Sequence, residues 1–192
     1  MNRIKLASVG LGGCSGCHMS FLYLDEWLIE LAQRVELVYS PLADIKVYPK
    51  GVDVALVEGA IANQDHLDMI HQVRKRTKVL ISFGDCAVTG NVTALRNPLF
   101  QLSNTEIEGK TEDHGQSVLA RAYLETATHP QLPKSDLVPP LLTQVLPVHK
   151  VVDVDLYLPG CPPDANRIRA VLEPLVEGKR PELLSAGNIR FG

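Results

Sequence analysis

Residues 4–17 have the sequence IKLASVGLGGCSGC: an aliphatic run, a glycine-rich stretch, and two cysteines separated by two residues. The aliphatic run predicts a first β-strand over residues 4–9. The glycines predict a sharp turn directly after that strand. The pattern therefore places Cys14 and Cys17 just beyond the carboxyl end of a strand, which is where α/β proteins bind their ligands.

Strand and helix signals alternate through much of the remaining chain. β-Branched and aliphatic runs predict further strands at residues 35–39, 52–57, 78–83 and 154–158. Apolar residues at helical spacing predict helices at residues 19–34, 63–76 (with Asn63 as N-cap), 116–126 and 164–177. Such an order is typical of an α/β domain with a mainly parallel sheet. Residues 97–150 are irregular and rich in proline, and we expect a long loop region that binds a partner.

Composition limits the class of protein. The chain has 192 residues and a mass of 21.0 kDa, which predicts one domain over residues 1–192. A net charge of −3 and an aromatic content of 5% argue against a nucleic-acid-binding protein. No apolar stretch reaches the ~20 residues of a membrane span. The apolar run at residues 6–9 is short for a signal peptide, so we expect a cytoplasmic protein without membrane contact.

The four cysteines follow three different strands. Cys14 and Cys17 follow the first predicted strand, Cys86 follows the fourth, and Cys161 follows the last. Because the carboxyl ends of parallel strands share one edge of a sheet, four sulfurs can meet there. Four thiolates suit a [4Fe–4S] cluster or a zinc ion, and buried core thiols are the third interpretation.

Three polar residues lie near the same edge. Glu58 ends an apolar strand, and its carboxylate could carry protons or simply stabilise the next turn. Asp85, beside Cys86, is expected to be a turn or N-cap residue. His18 follows Cys17, and we expect it to be a hydrogen-bonded core histidine.

Four motifs in this order resemble the small subunit of [NiFe]-hydrogenases: GCSGC (residues 13–17), VEGA (57–60), GDCA (84–87) and PGCPP (159–163). The resemblance implies a flavodoxin-like fold, an open sheet with helices on both faces. It also implies that Cys14, Cys17, Cys86 and Cys161 bind one proximal [4Fe–4S] cluster. The nickel–iron site would lie in a large subunit, and Glu58 would lie near the boundary with it as a proton relay.

No cysteine follows Cys161 in this sequence. In this respect the chain resembles the one-cluster small subunits of cytoplasmic NAD(P)-linked soluble hydrogenases. In that subgroup, electrons pass between the nickel–iron site and a diaphorase module with flavin, further iron–sulfur clusters and the nicotinamide site. The resemblance also associates a flavin mononucleotide (FMN) with this neighbourhood. The alternatives are a complex I-like quinone oxidoreductase subunit, whose first motif typically has adjacent cysteines, and a zinc-stabilised interaction module.

Overall fold

A computed structural model describes residues 3–98, 121–125, 128–132, 137–179 and 181. Its main sheet has five parallel strands: β1 (Ile4–Gly10), β2 (Val35–Tyr39), β3 (Val52–Glu58), β5 (Thr77–Phe83) and β7 (Leu156–Leu158). They are hydrogen-bonded in the order β2-β1-β3-β5-β7. The predicted fold class is therefore confirmed, and each predicted strand corresponds to one of these.

Helices cover both faces of the sheet. The helices are α1 (Gly16–Leu22), α2 (Trp27–Arg34), α3 (Gln64–Arg76), α4 (Asp85–Thr89) and α5 (Ala165–Val176). Trp27 and Leu31 of α2 pack with Ile168 and Leu172 of α5 against one face. Helix α3 packs against the other face through Ile70 and Val73. Strand β3 lies between the two layers and is buried along most of its length, as expected of a central parallel strand.

Two helix predictions can be compared with the structure in detail. Asn63 is the N-cap of α3, since its Oδ1 accepts the His66 N–H at 2.9 Å, as predicted. The single helix predicted over residues 19–34 is wrong, because the chain breaks between α1 and α2, where Asp25 has φ 48°. Of the predicted helix at 116–126, the described part is a five-residue π-helical segment, Arg121–Glu125.

The proline-rich region contains regular structure that the sequence did not predict. Strand β6 (Leu141–Leu146) pairs antiparallel with β4 (Ile61–Asn63), which directly follows β3. Val145 and Val148 are buried in this part of the chain. The irregular region expected over residues 97–150 is therefore corrected for its last ten residues, which pack on this domain. Residues 99–120, 126–127 and 133–136 of that region lie outside the described residues.

Within the described ranges, no helix combines the length and apolar character needed to cross a bilayer.

Candidate iron–sulfur site

The structure places the four cysteines at the carboxyl edge of the parallel sheet, in the loops after β1, β5 and β7. Cys14 precedes α1, Cys17 lies in its first turn, Cys86 lies in α4, and Cys161 follows β7. Cys17 and Cys86 are buried, whereas Cys14 and Cys161 are exposed, and all four thiols are free. Two buried and two exposed thiols therefore lie along the same edge of the sheet.

Backbone pairing fixes the loop that carries Cys14. The Leu11 N–H donates to the Glu58 carbonyl at 2.8 Å, and Gly12 and Ala60 exchange two bonds of 2.9 and 2.8 Å. Gly59 has φ 91°, and a Cβ there would lie 2.8 Å from the Leu11 carbonyl carbon. Only glycine fits at this crossing, and the crossing holds the first cysteine loop beside Glu58.

Asp85 ties the loop of Cys86 to the loop of Cys161. Its Oδ1 accepts the Gly160 N–H at 2.6 Å, and its own N–H donates to the Gly160 carbonyl at 2.9 Å. The side chain is buried, and the N-cap position of α4 belongs to Gly84. The N-cap interpretation of Asp85 is therefore corrected: its carboxylate bridges two loops. Ser20 adds a tie from α1, donating to the Pro163 carbonyl at 2.6 Å.

Gly84 brings the β5–α4 turn into contact with α1. A Cβ on Gly84 would lie 2.1 Å from Cys17 Sγ, and the backbone has φ 83° and ψ 162°. This backbone region is essentially restricted to glycine. Because glycine has no side chain, Cys17 Sγ can occupy the space beside Gly84 that a Cβ would fill.

The thiols influence one another electrostatically. Burial raises the pKa of Cys17 far above the ordinary thiol range, and the negative charges of Glu58 and the other three cysteines raise it further. Burial also raises the pKa of Cys86, while a hydrogen bond with Thr93 acts in the opposite direction. Buried thiols with this tendency become thiolates when cationic iron or zinc binds them. The donor set therefore fits a metal centre, although no group of three or more metal-binding side chains in the described ranges is arranged as a single-ion site.

Hydrogen-bond donors approach two of the sulfurs. The Gly16 N–H lies 3.4 Å from Cys14 Sγ, and the side-chain amide of Asn91 lies 3.4 Å from Cys161 Sγ. Donors of this kind tune iron–sulfur centres. No sequence motif assigns a role to Asn91 or Thr93. Both residues follow Cys86 within seven positions, and this proximity is the only sequence signal that could have pointed to them.

Glu58 and His18 form a pair next to Cys17. Glu58 is 3% exposed at the end of β3, and its Oε2 accepts the His18 backbone N–H at 3.1 Å. The same oxygen also contacts His18 Nδ1. His18 is therefore hydrogen-bonded as expected, but its partner is the carboxylate that the sequence singled out. Its Nε2 is buried without a hydrogen-bond partner among the described residues.

A separate groove lies at the opposite, amino-terminal edge of the sheet. It has a volume of about 1000 Å³ and mixed charges, with Lys78 paired to Asp53 at 2.8 Å. None of the four cysteines lines it. The groove and the four cysteines therefore lie at opposite edges of the sheet.

Comparison with known proteins identifies the family of the chain. Residues 14–175 match the family described as NADH ubiquinone oxidoreductase, 20 Kd subunit. The NAD-reducing hydrogenase HoxS subunit delta of Cupriavidus necator is 37% identical, and the match covers 97% of this chain and 85% of that protein. A subunit of the vhu F420-non-reducing hydrogenase of Methanococcus voltae is also 37% identical. That match covers 95% of this chain but only 59% of the relative, so the chain spans about three fifths of its length.

A solved structure of an NAD+-reducing [NiFe]-hydrogenase in the H2-reduced state contains a similar chain. The two chains are 32% identical and superpose with a TM-score of 0.85, covering 100% of both. The fold and the order of the motif-bearing loops are thus those of an oxidoreductase subunit.

Proposed function

The chain belongs to the NADH ubiquinone oxidoreductase 20 Kd subunit family, and on this premise we propose that it is the electron-transfer small subunit of an NAD-reducing [NiFe]-hydrogenase. The observation that carries the proposal is the meeting of four free thiols from three loops at one sheet edge. The hydrogenase names of the relatives at 37% identity support it. The two residues between Cys14 and Cys17 favour hydrogenase over a quinone-linked subunit of the same family.

In this proposal Cys14, Cys17, Cys86 and Cys161 bind one [4Fe–4S] cluster. When bound, such a cluster supplies a centre that takes up and releases single electrons. Cys17 and Cys86 hold its inner side, in a part of the domain that excludes water. Asp85, Ser20 and the Gly12–Ala60 crossing keep the three ligand loops at fixed positions, as electron transfer over a set distance requires.

The exposure of Cys14 and Cys161 explains why a partner is needed. A centre held by four thiols, two of them at the surface, would be open to solvent on one side. Apolar side chains are exposed in segments that follow the same strand ends or flank the cysteines: Met19, Leu42, Val92 and Leu95. Exposed apolar surface around a reactive centre is typical of a subunit interface. We assign this face to the large subunit, which would hold the nickel–iron site.

We assign further partners from the relatives. The family resemblance implies a diaphorase module that carries flavin, iron–sulfur clusters and the nicotinamide site, and the NAD-reducing activity named for the relative supports such a partner. The proline-rich region provides another contact candidate, since Leu137 and Val138 are exposed there.

Four unpaired cysteines suit the reducing cytoplasm. FMN near this subunit stays a prediction from the family resemblance.

Glu58 is the proposed proton carrier of this chain. It lies at the same edge as the cysteines, is almost fully buried and has a hydrogen-bonded histidine beside it. A carboxylate in such a position can accept a proton from one side and pass it to another. Electrons and protons would then leave the large subunit by different residues of this chain.

The proposal is tested by metal and sulfide analysis of the chain purified without oxygen together with its large subunit. We expect about four acid-labile sulfides per chain, since a cubane held by four cysteines contains four. Sulfide is more informative than iron here, because the nickel–iron site would add iron but no inorganic sulfide. One zinc per chain without sulfide would overturn the proposal and favour a zinc-stabilised interaction module.

A further inference from the structure

Asn91 has an unusual backbone conformation directly beside a cysteine. Its φ is 37°, and it follows Gly90, whose φ is 89°. Two successive left-handed residues reverse the chain after α4 and begin the 3₁₀ helix Asn91–Arg96. The reversal brings Asn91 Nδ2 to 3.4 Å from Cys161 Sγ, across 70 positions of sequence. A left-handed residue other than glycine invites a functional explanation.

The chemistry of the contact determines which atoms face each other. A thiolate sulfur can only accept a hydrogen bond, so the amide N–H of Asn91 donates to it. Thr93 lies near Cys86, but its hydroxyl donates to the Gly12 carbonyl at 2.9 Å. The Gly16 N–H on Cys14 belongs to the backbone and is common to every residue type except proline. Thr93 therefore divides its hydroxyl between Cys86 and Gly12, whereas Asn91 is a side chain whose N–H is directed at a ligand sulfur, so its identity can set that hydrogen bond.

We propose that Asn91 raises the reduction potential of the iron–sulfur centre by donating its side-chain N–H to Cys161 Sγ. This inference rests on the proposed function. Reduction of such a centre adds one electron, with no bond broken and no proton taken up. The added negative charge spreads onto the ligand sulfurs, so a donor to sulfur stabilises the reduced state more than the oxidised state. In this proposal Asn91 acts on the centre through Cys161 and is not itself a ligand.

A purely conformational role for Asn91 makes a different prediction. Asparagine tolerates left-handed backbone better than most residues, and this tolerance alone could explain its presence. In that case Asn91→Gly would be harmless, because glycine adopts the same conformation without strain. If the amide matters, Asn91→Gly keeps the fold and still lowers the potential. Asn91→Asp retains the size but places a negative charge beside the sulfur.

The experiment is a reductive titration of the purified small–large subunit complex, followed by electron paramagnetic resonance. The matched control is Asp25→Gly, which also replaces a left-handed residue (φ 48°) but lies in the exposed loop between α1 and α2. We expect the midpoint potential to become more negative in Asn91→Gly and still more negative in Asn91→Asp. Asp25→Gly should match the wild type.

Sulfide content distinguishes failure of the proposed function from failure of the Asn91 role. Wild-type complex without sulfide would refute the proposed function itself. With four sulfides present, an unchanged potential in Asn91→Gly would refute the role of Asn91. Loss of sulfide from Asn91→Gly but not from Asp25→Gly would also refute it, because Asn91 would then be holding a ligand loop.

Discussion

Replacing Gly84 by alanine should displace Cys17 and prevent the site from forming. The added Cβ would lie 2.1 Å from Cys17 Sγ, whereas ordinary contacts begin at 3.4 Å, so the two groups must separate by about 1.3 Å. Gly84 is fixed by its N–H bond to the Leu158 carbonyl at 2.8 Å, and Cys17 Sγ, on a side chain in the first turn of α1, can move away only by rotating about χ1 out of its present position. The displacement therefore has to involve a ligand or its loop.

The expected cost has two parts. Alanine in a backbone region that is essentially limited to glycine costs about 1–3 kcal/mol. Overpacking against Cys17 costs about 1–3 kcal/mol more. Together these amount to about 2–6 kcal/mol of unfolding free energy. In a domain of this size each kcal/mol lowers the melting temperature by about 2–4 °C, so we expect a loss of about 4–24 °C.

The matched control is Gly51→Ala. Gly51 also has a positive φ, 71°, but a Cβ there meets nothing within 4 Å. Its cost is the backbone part alone, about 1–2 kcal/mol, with full retention of sulfide. Thermal melting and sulfide content of both variants, prepared without oxygen, measure the difference. A Gly84→Ala protein with wild-type sulfide and the melting temperature of Gly51→Ala would refute the reasoning. In a Cys17→Ala background the extra cost of Gly84→Ala should shrink to the backbone part.

Three other changes have definite expected outcomes. Glu58→Gln should keep the iron–sulfur signal and subunit assembly but slow hydrogen turnover by ~10²-fold; turnover equal to that of the control Glu173→Gln, a half-buried carboxylate on helix α5, would leave Glu58 a structural role. Cys161→Ser should lose most of its sulfide, because ligand bonds and loop structure are coupled; retained sulfide would remove Cys161 from the ligand set. In cluster-free protein, Cys17 keeps its proton when folded but loses it near pH 9 when unfolded, because burial raises its pKa. Stability should therefore fall as pH rises above about 9, and Cys17→Ala should weaken that dependence in melting curves at about pH 8 and about pH 10.

The sequence by itself determined the parallel sheet and the edge at which the four cysteines lie. The strands of the main sheet are short aliphatic runs, and such runs predict buried parallel strands from local composition alone. Since parallel strands end on one side, the position of each cysteine after a strand was enough to predict that all four lie at one edge of the sheet. Glu58 was assigned to the same edge by the same reasoning, because it is the last residue of the central strand β3.

Contacts between distant segments were decided only by the tertiary structure. Asp85 holds Gly160 across 75 positions, and Asn91 reaches Cys161 across 70. Glu58 meets His18 across 40. Strand β6 forms because β4 offers an antiparallel edge, although its own proline-rich surroundings carry little strand signal. Local propensity and residue spacing indicate which backbone conformation a segment prefers. A hydrogen bond between two loops depends instead on where the folded chain places both partners. For that reason the sheet edge that carries the four cysteines could be predicted from the sequence, whereas the contacts between their loops could not.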